Sequence, residues 1–271
     1  MVMQQIKNVF SKKNVILLKE LVRTDFKLRY QNSTLGYLWS LLRPLFLFMI
    51  LYVVFVKFLR LGNDIPNFPV YLLLGIVLWT FFIEITSQSI TSIVGRGDLI
   101  RKIKIPRWII IVSVSISALI NLFLNLIIVG VFMVINGVPP MLSALAFPLA
   151  LLELYLFSLG LSLWLSSLYV KYRDISYIWE ITMQGLFYLT PILYPLSMIS
   201  QSWMQKILLL SPIAQSIQAS RYLLISHEVV TFEKVFGGKE LLIIPVAIVL
   251  LVLVSGVLYF RKESKYFAEN I

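Results

Sequence analysis

Gly95-Arg96-Gly97-Asp98-Leu99-Ile100-Arg101-Lys102-Ile103-Lys104-Ile105-Pro106-Arg107-Trp108 separates two long apolar runs, and its reading decides the fold. Arg96, Arg101, Lys102, Lys104 and Arg107 are basic, and Leu99, Ile100, Ile103 and Ile105 interleave with them. The spacing predicts a short amphipathic helix over 98–104, with Asp98 as its N-cap and Pro106 as its stop. In a membrane protein such a basic loop stays cytoplasmic, so it orients every other segment. Two roles are open to it on the residues alone. It can lie in the headgroups as a topology anchor, or its apolar face can be gripped by a soluble partner.

Working outward, the 271 residues are 59% hydrophobic and 14% charged, with a mean hydropathy of +0.88. Those values exclude an ordinary soluble domain and indicate a polytopic membrane protein. The net charge of +11 is explained by membrane topology, so no nucleic-acid partner is expected. Without cysteine there is no disulfide or thiolate site, and the single histidine, His227, cannot build a metal centre. No metal site and no cofactor is expected on this chain. The first 30 residues lack a continuous apolar core, so no secretory signal is read there. There is no Gly-x-x-x-x-Gly-Lys-Ser/Thr and no His-Glu-x-x-His, so neither ATP hydrolysis nor zinc proteolysis is encoded.

Before the loop, residues 4–30 predict an amphipathic helix lying in the membrane interface. Leu18, Leu21, Val22 and Phe26 share one face, and Lys12, Lys19, Arg23 and Lys27 form the opposite stripe. Spans are expected at about 39–59, 70–93, 109–135, 142–168, 175–193 and 241–260. Two apolar pieces at 203–210 and 213–225 are each too short to cross. The region 194–240 is therefore expected to hold re-entrant or interfacial helices. Inside this frame lie eight Lys/Arg up to Arg43, five in 95–107, two at 171–174 and three in the tail, against six outside. That asymmetry favours six spans with both termini cytoplasmic. The expected fold is an all-α integral membrane protein of one domain, 1–271.

A series of short motifs runs along this frame. Arg29-Tyr30, Leu35-Gly36-Tyr37-Leu38-Trp39 and Arg43-Pro44 follow the interface helix. Leu99-Ile100-Arg101-Lys102, Tyr172-Arg173-Asp174-Ile175 and Thr190-Pro191-Ile192-Leu193-Tyr194 come next. Ser211-Pro212, Arg221-Tyr222, Tyr259-Phe260-Arg261-Lys262 and Phe267-Ala268-Glu269 complete the order. In order and spacing the chain resembles the permease subunit of type-2 ABC exporters for bacterial cell-surface polysaccharides, over essentially its whole length. One departure is Ser211-Pro212, where many members carry Asn-Pro.

The resemblance implies a transporter of two permeases and two separate ATPase subunits, with MgATP bound on the ATPases, in the bacterial cytoplasmic membrane. It implies that Asp98, Leu99, Ile100, Arg101, Lys102 and Ile103 dock the ATPase, aided by the interface helix with Lys19, Arg23 and Lys27. It further implies a homodimer whose first and fifth spans line a channel for a lipid-linked glycan: teichoic acid, rhamnose-rich polysaccharide or O-antigen. On those spans Tyr37, Trp39, Glu180 and Tyr188 are the candidate lining residues.

Other residues carry two readings. Glu84, Glu153 and Glu180 lie inside spans, where an ionised group is costly. They either face a watery path or pair across helix contacts. Trp39 and Trp179 either stack on sugars or belong to the interfacial belt, whereas Tyr188 lies deeper and is harder to explain as belt. Asn121 and Asn125, one turn apart, suit hydrogen bonds to a neighbouring helix. An exporter of drugs or small lipids is the alternative within the same class. A membrane-embedded transferase is the alternative from another class, and it lacks a cluster of acids at the membrane surface.

Overall fold

The apolar run before the basic loop is hydrophobic on every side, and a helix of that kind is buried rather than amphipathic. In the computed structural model of the protein it is the helix the others surround. The structure describes residues 11–30, 33, 35–36, 38–60, 65–102, 105–238 and 240–270. Tyr37 and Ile103 lie outside these residues, as does the start of the expected 4–30 helix.

The described residues form helices and contain no strand. Helix α1 is Lys12–Tyr30, and α2 is Leu38–Leu51, continued by a π-helical stretch, Tyr52–Phe58. Helix α3 is Phe68–Ser92, α4 Gly97–Lys102, α5 Trp108–Ile135 and α6 Phe147–Lys171. Helix α7 is Ile175–Leu189, α8 Ser202–Leu210, α9 Pro212–Leu224 and α10 Phe232–Phe236. Helix α11 is Ile243–Glu263, and a last turn, α12, is Phe267–Asn270.

Among the described residues five helical segments are long and apolar enough to cross a membrane: Leu38–Phe58, Phe68–Ser92, Trp108–Ile135, Leu142–Lys171 and Ile243–Tyr266. The fifth expected span, 175–193, is shorter than the sequence reading placed it. Helix α7 stops at Leu189 after 15 residues, about 22 Å of helix against a hydrocarbon core of about 30 Å. The stop is local, because Pro191 pushes Thr190 into extended backbone (φ −75°, ψ 136°).

Val70 to Trp79 of α3 are all buried. Helix α2 packs on α5, α5 on α6, α6 on α7, and all four touch α3. Helices α2 and α7 thus stand at the two open ends of a horseshoe around α3. The tightest partner of α6 is α11. A Cβ on Gly160 would come within 2.8 Å of the Leu253 backbone, and one on Gly256 within 2.4 Å of the Gly160 carbonyl. Small residues therefore bring the two backbones into contact, which is how helices associate where solvent offers no hydrophobic drive. Beside them Trp164 stacks on Tyr259 at 4.7 Å and donates Nε1–H to Ser255 Oγ at 3.1 Å.

Candidate functional site

At the end of the bundle that carries the basic loop, a separate apolar cluster joins Ile93, Ile100, Ile110, Val170, Phe260 and Phe267. Asp98 lies in the first turn of α4 rather than at its N-cap, because a 3₁₀ turn, Val94–Arg96, leads straight into the helix. Ile100 is 8% exposed and belongs to that cluster, so its side chain fixes α4 to the protein's own core. Asp98, Arg101 and Lys102 are exposed and Leu99 is half-buried. The tail returns to this place: Phe267 meets Phe260 edge-on at 5.4 Å, and α12 packs on α4.

Helix α1 lies against α5 through Leu21, and its stripe of Lys12, Lys19, Arg23 and Lys27 is exposed. A polar tie accompanies this packing. Asp25 of α1 pairs with Arg96 Nη2, and Ser113 Oγ of α5 lies 3.3 Å from both partners. The sequence offers no signal for it, since the carboxylate and its cation stand 71 positions apart. Asp25 reads there as one more polar residue on an interface helix.

The open ends of the horseshoe carry three of the expected channel residues, Trp39, Glu180 and Tyr188. Tyr177, Ile181, Gln184 and Tyr188 recur along α7 at helical spacing and are all exposed, with Glu180 beside them. Tyr188 is 68% exposed. Trp39 is exposed on α2, as are Phe46, Met49, Ile50 and Val53 further along that helix. The opposite side of α7 faces α3. Trp179 donates Nε1–H to Thr86 Oγ1 at 3.2 Å, Phe187 lies 5.9 Å from Trp79, and Ile192 faces Gly75. The segment 179–192 therefore runs antiparallel to α3 from Thr86 to Gly75. Trp179 is a packing residue, whereas Trp39, Glu180 and Tyr188 occupy faces with room for a partner.

The acids inside the spans divide as well. Asn121 Nδ2 donates to Glu84 Oε1 at 2.6 Å and Asn125 Nδ2 to the Ser40 carbonyl at 3.2 Å. Both asparagines thus join helices to one another, and Glu84 pairs across a helix contact. Glu153 faces Ser216 of α9, yet neither Glu153 Oε1 nor Ser216 Oγ completes a hydrogen bond of normal geometry.

At the far end of the bundle Arg221 of α9 is fully buried. It donates Nη1–H to the Pro191 carbonyl at 2.6 Å, Nη2–H to Ile192 at 2.8 Å and Nε–H to Tyr71 at 3.1 Å. Gln218 Oε1 accepts from Arg221 and from Tyr71 Oη, and the guanidinium lies 3.5 Å above the Tyr71 ring. One side chain thus joins α9, the start of α3 and the turn that ends α7. A Cβ on Gly75 would stand 2.3 Å from Arg221 Nη2, so the glycine makes the site possible. Arg221-Tyr222 is visible in the sequence as a motif, but nothing there tells that the arginine points inward.

Five long apolar helices, one of them buried among the others, with a basic loop at one end and no metal-holding cluster of side chains among the described residues, define a multi-pass helical membrane protein. The chain belongs to the ABC-2 type transporter family, whose pattern it matches over residues 16–225. It is 29% identical over 256 residues to the O-antigen export system permease protein RfbA of Myxococcus xanthus, covering 94% of this chain and 95% of that protein. It is 32% identical over 208 residues to a protein of the same description from Klebsiella pneumoniae, covering 76% and 78%. To the polysialic acid transport protein KpsM of Escherichia coli it is 23% identical over 209 residues, covering 76% and 80%.

Proposed function

We propose that this chain is the permease subunit of an ATP-driven exporter that carries a lipid-linked cell-surface polysaccharide across the bacterial cytoplasmic membrane. The observation that carries the reading is the end-to-end likeness to permeases named for O-antigen export, joined by a relative named for polysialic acid transport. Teichoic acid and rhamnose-rich polysaccharide are substrates of the same chemical class. A separate ATPase subunit, in two copies and holding MgATP, supplies the energy. In support, no phosphate loop occurs in the 271 residues.

The ATPase docks on α4 through Asp98, Leu99, Arg101 and Lys102, with Ile100 anchoring the helix from behind; Ile103, the other residue assigned to this docking, lies outside the described residues. Lys19, Arg23 and Lys27 of α1 meet anionic headgroups beside it. The chain crosses six times, with both termini cytoplasmic. The antiparallel run of 179–192 along α3 supports a crossing at α7, its short helix extended by Thr190–Leu193. Helices α8 and α9 form the re-entrant pair. Ser216 faces Glu153 while Leu223 accepts from Ser143 Oγ, so α9 climbs alongside the first half of α6.

A conduit wide enough for a glycan needs a second copy, because one chain of this size must also pack a core. The exposed faces of α2 and α7 suit a two-fold contact that encloses a channel. There Trp39, Glu180 and Tyr188 would offer weak stacking and hydrogen-bonding sites, so a polymer slides without being trapped; Tyr37, also assigned to the channel, lies outside the described residues. Depletion of the protein tests the reading: the surface glycan should disappear, its lipid-linked precursor should accumulate inside, and the ATPase should co-purify with the permease. Unchanged surface glycan in depleted cells would reject it.

A further inference from the structure

We infer that Asp25 and Arg96 form the link that carries motion from the ATPase-docking loop to the interface helix, and so are positioning residues for transport. The inference rests on the export reading above. Arg96 stands at the root of α4, immediately before the helix that docks the ATPase, and Asp25 stands on α1. Their ion pair joins two elements that are otherwise held to the bundle by different surfaces. Helix α4 is anchored through Ile100 and Phe267, and α1 through Leu21 against α5. Ser113 Oγ, 3.3 Å from each partner, ties both to the start of α5.

The environment suits a moving contact. The two side chains keep 18% and 16% of their surface exposed and wall a cleft shared with Gln88, Thr91 and Val114. A displacement of α4 therefore has space to draw α1 with it instead of meeting packed side chains. The tie is polar and directional, so it transmits a pull that apolar packing would let slip. A partly buried pair also loses less to screening than an exposed one, while breaking it strands a charge in the cleft. Since α1 leads through residues 31–37 into α2, motion of α1 reaches one edge of the proposed channel.

The test uses the complete permease–ATPase complex in proteoliposomes, measuring bound ATPase, ATP hydrolysis and glycan exported per ATP. Asp25→Asn and Arg96→Gln should each retain ATPase and hydrolysis yet lower export per ATP about tenfold, the change that about 1.4 kcal/mol of coupling produces. Exchanging the charges, Asp25→Arg with Arg96→Asp, should recover most of that loss. Ser113→Ala removes only the bridging hydroxyl and should lower export per ATP in the same direction, which decides the matter if a charge variant fails to fold. Normal export per ATP in the variants, no recovery on exchange, or parallel loss of hydrolysis and export would overturn the link. A wild-type complex that hydrolyses ATP and exports no glycan would instead defeat the export reading, and the link with it.

Discussion

Arg221 brings a full charge into a buried site where carbonyl oxygens and an aromatic face, not a carboxylate, receive it. Such a site is stable only if every donor is used, because a stranded charge costs several kcal/mol. The fork geometry of guanidinium reaches three chain segments at once, which an ammonium cannot do. Gly75→Ala should therefore displace Arg221 and destabilise the protein by about 1–3 kcal/mol, the usual cost of overpacking. Thermal unfolding of the detergent-purified protein measures this, and Arg221→Lys should not restore what Arg221→Met loses. Tyr188 poses the opposite case, an aromatic ring with 68% of its surface open. Tyr188→Ala and Tyr188→Leu should both reduce glycan export while ATPase association persists. Normal export in both, with the complex intact, would remove Tyr188 from the path.

Among the elements, the proposed function rests most on α4 and α7. Leu99 is the apolar side chain of α4 that the protein's own core leaves partly uncovered, and a charge there should spoil a docking contact. Leu99→Asp should lower ATPase co-purification without changing membrane insertion; unchanged co-purification would exclude α4 as the docking element. For α7 the question is whether the chain crosses. Without cysteines in the sequence, Gln201→Cys and Lys265→Cys each report a single exposed position. Six crossings place residue 201 outside and residue 265 inside, and labelling of the reverse pattern would mean that α7 does not cross.

The helical elements were largely legible in the sequence because apolar runs, prolines and basic loops are local signals. Phe68–Ser92 and Trp108–Ile135 fall within two residues of the expected spans, and Ser202–Leu210 and Pro212–Leu224 match the two short pieces. Legibility failed where long-range partners decide. Nothing local tells that the run at 68–92 is the central helix while that at 38–58 is nearly bare. Ile100 reads as a docking residue until Phe267, far along the chain, is seen in the cluster that encloses it. The Asp25–Arg96 tie and the inward turn of Arg221 are invisible for the same reason.

On the scale of the whole molecule, the horseshoe around α3 leaves faces of α2 and α7 uncovered by the described residues, while the basic end presents α4 and α1 together. In the proposed exporter a second copy and an ATPase answer these two surfaces separately, one closing the conduit and the other driving it. The likeness to permeases named for O-antigen export is what suggests the glycan proposed to pass between them. The most direct test of the central claim is transport by the reconstituted permease–ATPase complex in sealed inside-out vesicles loaded with lipid-linked glycan on the ATP-accessible face. The account predicts that ATP moves the glycan to the protected interior and that the permease alone does not. ATP hydrolysis by an intact complex with the glycan left on the outer face, or movement of small lipids in its place, would contradict it.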